Sequence, residues 1–162
     1  MKKADITIDL SEQQLVDCSG DYGNHGCNGG LASRGLEWVR ENGQTIQSAY
    51  PYKAVNQDCS IKTGEYKIAG VATITGCDVL ESKLRHRPMA VRVDATNWHL
   101  YKSGVFNNCD KRINHGVFMV GSSEQEWTIK NSWGPTWGEN GYIRLAKGDT
   151  CAVCFGPSFP LF

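Results

Sequence analysis

The sequence predicts an α+β protein in which a helical half, residues 1–64, precedes a β-rich half, residues 65–162. An S-x-x-Q capping box begins at Ser11 and is typical of a helix start. Apolar residues then recur at helical spacing over residues 31–39. From Tyr66 onward the apolar period shortens to two, which indicates strands. These three observations define the order of the two halves.

The elements follow from the same signals. The capping box opens a helix that runs to about Cys18, and a glycine-rich loop covers residues 20–30. Asn42-Gly43 ends the second helix, and Tyr50-Pro51-Tyr52 is predicted to be a turn. In the β-rich half we expect a short helix and five strands, with the helix at 79–86 and the strands at 66–74, 89–94, 115–121, 127–131 and 142–146.

Composition limits the possible functions. A chain of 162 residues fits one ordinary domain or two small halves. Its 17 basic and 17 acidic residues give zero net charge, so no basic surface predicts a nucleic-acid partner. No apolar stretch is long enough to span a bilayer, and no charge run predicts binding to a membrane surface.

The seven cysteines indicate an oxidising compartment, either extracellular or lysosomal/vacuolar. Because seven is odd, at least one cysteine has no partner within the chain. A zinc site built on Cys151-x-x-Cys154 with His25 or His115 is a weak alternative, since a single CxxC is more typical of disulfides or core packing. We therefore expect no metal and no cofactor.

Two polar residues are predicted to meet across a β-hairpin. An apolar run follows His115, a polar stretch covers residues 122–126, and a second strand leads to Asn131. A turn centred on Ser123 would set His115 directly opposite Asn131, with Cβ atoms roughly 5 Å apart. A histidine whose ring is held by an amide is suited to general acid–base catalysis. A register slip of one residue would place the two side chains on opposite faces.

Several motifs resemble those of the papain-like (cathepsin L-type) cysteine peptidases. The matches occur in the family's order and cover the chain from Leu10 to Pro160. The resemblance implies the papain-like two-half fold, with a helical half and a β-barrel-like half. The matching segments are Leu10-Ser11-Glu12-Gln13-Gln14-Leu15-Val16-Asp17-Cys18, Gly26-Cys27-Asn28-Gly29-Gly30, Tyr50-Pro51-Tyr52, Asn114-His115-Gly116, Lys130-Asn131-Ser132-Trp133-Gly134 and Trp137-Gly138-Glu139-Asn140-Gly141-Tyr142.

The resemblance implies peptide-bond hydrolysis by a Cys-His-Asn mechanism on a peptide or protein substrate. His115 would be the acid–base group, Asn131 would orient its ring, and Trp133 would shield their hydrogen bond from water. Gly29 and Gly30 would pair with the backbone of an extended substrate; the alternative is a tight turn before the helix, and the two interpretations can hold together. Further substrate-binding residues implied by the resemblance are Leu31, Ala32, Asn114, Gly116 and Gly156.

The pocket for the substrate residue two before the scissile bond is expected to prefer bulky apolar side chains over arginine. Gly156 at its floor would leave room and carry no charge. The resemblance also implies the state of the cysteines. Cys27 is expected to be a free thiol or bonded to another polypeptide, because its family partner lies near the nucleophile. Two disulfides are implied, Cys18–Cys59 and Cys109–Cys151, whereas Cys77 and Cys154 either bridge each other or remain buried thiols.

The sequence departs from the family in one decisive respect, because it contains no C-G-[SA]-C-[WY] nucleophile segment. Counting back roughly 130–150 residues from His115, the family's spacing, leads to a point before Met1. We therefore expect a fold truncated at the amino terminus and a chain that is inactive alone. The solitary monomer is not expected to be stable, so either a separate polypeptide fills the position of the missing catalytic helix or the helical half is rearranged.

Three hypotheses about function remain open. The first is a cysteine endopeptidase whose nucleophile lies on another segment. The second is a catalytically dead pseudoenzyme that acts as a binding or assembly subunit, which an initiator role for Met1 would favour. The third is a disulfide-rich extracellular domain with only structural resemblance. The intact pair of His115 and Asn131 favours the first, since a binding module has no need of an oriented acid–base group.

Overall fold

The computed structural model of the chain describes residues 7–162. The described residues divide into two compact units. The first unit contains the residues up to Ala72 together with Pro160–Phe162, and the second contains Thr73–Phe159. The α+β class is confirmed, with helices concentrated in the first unit and strands in the second.

The first helix, α1 (Glu12–Cys18), begins where the capping signal predicts. Ser11 Oγ accepts a hydrogen bond from the Gln14 backbone N–H at 3.0 Å, which satisfies one of the free donors at the helix start. The reciprocal half of the box is not formed. Gln14 instead uses its side chain to bind the backbone of the following loops, accepting from Thr45 N and donating to Ile61 O at 2.8 Å each. Burial explains the difference, because this amide must satisfy its groups inside the fold.

A second helix, α2 (Ala32–Asn42), buries Trp38 and Val39 and ends at Gly43. Gly43 has φ of 79°, a left-handed conformation in which glycine carries no steric penalty. The implied disulfide between Cys18 and Cys59 is present and joins α1 to a later loop of the same unit.

One seven-stranded sheet lies largely within the second unit. Its strand order is β1-β7-β2-β4-β5-β6-β3, with β3 and β6 parallel. The short helix α3 (Cys77–Leu84) lies between the first two strands along the chain. The strands are β1 (Gly70–Thr75), β2 (Met89–Val93), β3 (Val105–Phe106), β4 (His115–Ser122), β5 (Glu126–Lys130), β6 (Tyr142–Ala146) and β7 (Phe155–Leu161).

Two strands were not predicted from the sequence, and one starts later than expected. β7 contains Pro157 and Pro160, residues that argue against a strand because they cannot donate to a ladder. β3 has only two residues, which is too short for a periodic signal. β1 begins at Gly70 rather than near residue 66, because the backbone of Tyr66 pairs with Gln44 instead.

Two further disulfides close the second unit. Cys109–Cys151 is the second bridge that the resemblance implied, and Cys77–Cys154 decides the alternative left open by the sequence. Because both sulfurs of Cys151-x-x-Cys154 are used in these bonds, that motif has no thiolate to offer a zinc ion. Cys27 is exposed and has no partner within the chain. Within residues 7–162 no helix is long and apolar enough to cross a membrane.

Candidate active site

His115 and Asn131 form a side-chain hydrogen bond, with 2.8 Å between Nε2 and Oδ1. His115 is the first residue of β4, and Asn131 directly follows β5. Asn131 is 8% exposed, and its backbone N–H donates to Gly141 O at 2.9 Å. The amide is therefore held in place by its own backbone while its side chain reaches the imidazole.

The orientation of the Asn131 amide fixes the tautomer of His115. Asn131 Oδ1 also accepts the backbone N–H of Ser132 at 2.8 Å, and a backbone nitrogen can only donate. The atom facing Nε2 of His115 is therefore the amide oxygen. A carbonyl oxygen offers no proton, so Nε2 must carry the hydrogen that is shared. Nδ1 is left as the ring nitrogen that can take up or release a proton.

The strand register that produces this contact differs from the predicted one. The prediction set His115 directly opposite Asn131, whereas the observed ladder pairs Phe118 with Lys130 and Met119 with Ile129. Continued by one pair, this register sets Val117 opposite Asn131, a displacement of two residues. Two residues preserve the face of a strand, so the side chains still meet diagonally.

A β-bulge makes that diagonal contact possible. Next to the turn, Ser122 pairs with Trp127, which is a displacement of three residues from the prediction and would send His115 to the opposite face. The register shifts between Met119 and Gly121, where Val120 is the extra residue of the bulge. This single insertion returns His115 to the face that Asn131 occupies.

Two tryptophans contact the imidazole, and a third packs against both of them. The Trp133 ring centroid lies 5.2 Å from that of His115, with 32° between the planes. Trp98 meets the ring edge-on at 6.2 Å, and Trp137 stacks on Trp98 at 6.1 Å. Trp98 is fully buried, whereas Trp133 is 41% exposed. The sequence analysis gave Trp133 a role through the family motif that contains it, but gave none to Trp98 or Trp137.

Asn114 has a positioning contact that the sequence did not indicate. Its Oδ1 accepts from Ala95 N and its Nδ2 donates to Thr96 Oγ1, both at 2.9 Å. Its backbone N–H donates to Val93 O. The residue before His115 is therefore tied to the turn that follows β2.

The turn itself is held by the buried carboxylate of Asp94. Burial raises the pKa of Asp94, but hydrogen bonds from the Thr96 hydroxyl and from the backbone N–H groups of Thr96, Arg112 and Asp110 outweigh it and lower the pKa to about 2. Its ordinary value is 3.8. Through the bonds from Asp110 and Arg112, the Asp94 carboxylate thus fixes the loop that precedes His115.

Asp94→Asn is expected to lower the free energy of unfolding at pH 7 by about 1–3 kcal/mol, because an amide cannot accept all four hydrogen bonds. A depressed folded pKa contributes stability that is present above about pH 4 and is lost as the pH falls towards 2. In urea unfolding measured from pH 7 to pH 2, the free energy of unfolding of the variant should therefore fall less steeply with decreasing pH than that of the wild type. Glu139, whose pKa the Arg144 hydrogen bond lowers to about 2, should contribute to the acid dependence that remains.

Asp110→Asn is the matched control for this prediction. Its side chain is exposed, and only its backbone N–H contacts Asp94. A change within about 0.5 kcal/mol is expected there. An Asp94→Asn variant as stable as the wild type would contradict the role assigned to the carboxylate.

The glycine loop presents an open segment of backbone in the first unit. Gly29 closes a short turn, receiving His25 N–H at its carbonyl, and has φ of 104°. The Gly30 backbone N–H and C=O make no hydrogen bond within residues 7–162, and the residue is exposed. A Cβ at Gly30 would collide with the amide of Asn24, which caps Leu31 N–H at 2.8 Å. Both interpretations of the loop, a turn and an accessible backbone, are compatible with this geometry.

The remaining predicted substrate-binding residues divide between the two units. Leu31 precedes α2 and is partly exposed, and Ala32 is the exposed first residue of that helix. Gly116 and Gly156 belong to the second unit, where Gly156 has φ of 73°. The expectation that Gly156 leaves an uncharged space is wrong, because the guanidinium of Arg92 lies against it.

Comparisons with known proteins agree with the fold and the site. The family model described as papain family cysteine protease matches residues 1–161. Cathepsin L 1 of Paramecium tetraurelia is 48% identical over 94% of this chain and 50% of its own length. A cathepsin L-like proteinase of Fasciola hepatica is 40% identical over 99% of this chain and 54% of its own. The chain therefore spans about half the length of the curated relatives it matches.

Solved structures give the same result. A cysteine protease of Carica candamarcensis superposes with a TM-score of 0.88 at 32% identity, covering 95% of this chain and 78% of that one. Digestive procathepsin L 3 of Tenebrio molitor superposes with a TM-score of 0.87 at 34% identity, covering 96% of this chain and 56% of that one. This chain belongs to the papain family of cysteine proteases, and its relatives are of the cathepsin L type.

Proposed function

We propose that this chain supplies the acid–base part of a cysteine endopeptidase that hydrolyses peptide bonds. The observation that carries the proposal is the hydrogen bond between His115 Nε2 and Asn131 Oδ1, together with the Ser132 N–H that fixes the amide orientation. A histidine with one nitrogen held and the other free is the arrangement that proton transfer requires. The thiol nucleophile would come from outside these 162 residues, since no cysteine in them lies in the family's nucleophile motif.

In the proposed reaction, Nδ1 of His115 takes the proton of the thiol and the resulting thiolate attacks the substrate carbonyl. As the tetrahedral intermediate collapses, the imidazolium gives that proton to the leaving amine, and an acyl-enzyme remains. Water then loses a proton to the imidazole and attacks the thioester, and the thiol is released with its proton restored. Asn131 keeps Nε2–H engaged throughout, so the ring does not rotate away from the reacting atoms.

The tryptophans support this role by lowering the polarity around the pair. Trp133 lies beside the imidazole and Trp98 fills the space at its edge, which limits the approach of water to the hydrogen bond. A hydrogen bond in such surroundings is stronger than one in water. The orientation of His115 would therefore be kept between substrate-binding events.

The substrate is proposed to be an extended peptide or protein. The unpaired N–H and C=O of Gly30 among the described residues offer the two groups that a substrate strand would pair with. Gly29, Leu31 and Ala32 continue that surface in the first unit. Asn114, Gly116 and Gly156 are proposed to contribute from the second.

The chain alone is proposed to be inactive, with a further polypeptide segment at the position of the family's catalytic helix. Cys27 is the exposed thiol through which a disulfide to such a segment would form. Three disulfides support a lysosomal, vacuolar or extracellular location.

The second candidate function is a pseudoenzyme that acts as a binding or assembly subunit. The absence of the nucleophile motif from the sequence favours it. The oriented pair of His115 and Asn131 favours the peptidase, because binding alone would not need a defined tautomer.

The two candidates differ in one experiment. The 162-residue chain is assayed on a fluorogenic peptide amide, by itself and as an extended enzyme in which the family's Cys-Gly-x-Cys-Trp segment is joined ahead of it. We expect no turnover by the chain alone and turnover by the extended enzyme. The same extension with serine in place of its nucleophile cysteine is the control and should be inactive. A folded but inactive extended enzyme would contradict the peptidase and favour the binding subunit.

A further inference from the structure

Arg92 projects from the middle of β2 on the face opposite to the core. Its neighbours Val91 and Val93 are buried, and strand alternation sends the Arg92 side chain the other way, where it is partly exposed. In the antiparallel ladder Arg92 pairs with Gly116 of β4. A cation thus lies opposite a residue of the proposed substrate pocket.

The guanidinium also covers the second glycine of that pocket. A Cβ built on Gly156 would overlap Nη2 of Arg92, and Nε would lie 3.5 Å from it. The Arg92 Cζ lies 5.3 Å from the centroid of the Phe155 ring, whose side chain is 55% exposed. The Arg92 guanidinium therefore packs against Phe155 and Gly156, on a strand next to the one that contains Gly116.

Most hydrogen-bonding capacity of this guanidinium is unused. Among the residues that the structure describes, its single hydrogen bond to a protein acceptor is a long one, 3.5 Å from Nη2 to Phe155 O. Within residues 7–162 no carboxylate forms an ion pair with Arg92. Stacking on an aromatic face leaves the edge N–H groups of a guanidinium free, and these groups match a carboxylate in a bidentate manner.

There is room for a ligand beside Gly116. Apart from its two chain neighbours, no atom of residues 7–162 lies within 4 Å of the position that a Gly116 side chain would occupy. Gly116 directly follows His115 in β4, so this space begins one residue from the proposed acid–base group. An unpaired cation and an open space therefore border each other next to the site.

We propose that Arg92 determines specificity by binding a carboxylate of the substrate, so that the enzyme prefers Asp or Glu two residues before the scissile bond. This inference rests on the proposed peptidase function and replaces the apolar preference expected from Gly156 alone. A bulky apolar side chain would strip water from the guanidinium without pairing it, and a basic one would be repelled. An acidic side chain does neither.

The test uses the extended enzyme and two peptide amides that differ only in having Glu or Leu at that position. We expect Arg92→Gln to lower the ratio of kcat/KM for the Glu peptide over the Leu peptide by about ten- to a hundredfold, the effect of losing a hydrogen bond to a charged group. Arg92→Lys keeps the charge and should retain part of the ratio. Arg85→Gln removes an equal charge at the exposed end of α3 and should leave the ratio unchanged.

A ratio unaffected by Arg92→Gln, while both peptides are hydrolysed, would overturn the inference and leave the peptidase function intact. If neither peptide is hydrolysed, the peptidase function fails instead. The inference is then decided by binding of the same two peptides, followed through the fluorescence of the exposed Trp133. Tighter binding of the Glu peptide that is lost in Arg92→Gln would support it, and equal binding of both would overturn it.

Discussion

Replacing His115 by alanine in the extended enzyme is expected to lower kcat/KM by about three to four orders of magnitude. In the structure Nε2 of the imidazole is hydrogen-bonded to Asn131 Oδ1, and Nδ1 makes no hydrogen bond to the described residues, so Nδ1 is the nitrogen proposed to transfer the proton. Acid–base groups of this kind contribute 10²–10⁴-fold to rate, and loss of the imidazolium also removes the charge that stabilises the thiolate. Peptide-amide kinetics, normalised to correctly folded protein, would measure the effect.

Two companion variants make the result specific. Asn131→Ala keeps the base but frees its ring, so its loss of activity should be smaller than that of His115→Ala. His86→Ala removes an exposed histidine that follows α3, and its activity should stay within about twofold of wild type. If His115→Ala kept more than a tenth of the activity, the acid–base assignment would be wrong.

Trp98→Ala is expected to cause the largest loss of stability, about 3–5 kcal/mol in the free energy of unfolding. Trp98 is fully buried and contacts His115, Trp133 and Trp137 with centroid distances of 6.1–6.5 Å. Its removal leaves a cavity beneath the imidazole, so activity should fall even at temperatures at which the variant remains folded. Denaturant unfolding and peptidase assays on the same preparation would separate the two effects.

A pair of phenylalanine variants tests the polar part of this prediction. Trp98 Nε1 is buried and has no hydrogen-bond partner within residues 7–162, whereas Trp127 Nε1 donates to Gly148 O at 2.9 Å. Trp98→Phe should therefore cost about 1 kcal/mol less than Trp127→Phe, although both tryptophans are fully buried. Equal costs would mean that the indole N–H of Trp98 has a partner in solution.

Local sequence signals correctly predicted where helices begin and end, because each of these boundaries depends on residues that are close together along the chain. Ser11 marked the start of α1 because an N-cap acts on a backbone N–H three residues away. Gly43 marked the end of α2 because its positive φ is a property of that residue alone. The family resemblance also predicted the pairing of the disulfides Cys18–Cys59 and Cys109–Cys151, which no local sequence rule could have predicted.

The meeting of His115 and Asn131 was predicted for a reason that proved only partly correct. The two strands and the turn between them were predictable from period and polarity, but the register was not. Register depends on the bulge at Val120, and no local pattern distinguishes an inserted residue from an ordinary one in an apolar run. In the tertiary fold the shift at Val120 puts the buried residues Val117 and Met119 on the same face as His115 and Asn131, which the register next to the turn would not do.

The sequence by itself determined the class of the fold, the candidate acid–base pair and the lack of a nucleophile motif, since each is expressed in residue types at fixed spacing. Only the tertiary structure decided what surrounds them. Trp98 beside His115 and Arg92 against Gly156 join residues that are far apart along the chain. The residues next to Gly156 in the sequence give no indication that Arg92, from a distant strand, approaches it. Gly156 alone therefore predicted an uncharged space, whereas the pairing of β2 with β7 accompanies an Arg92 guanidinium that lies against Gly156.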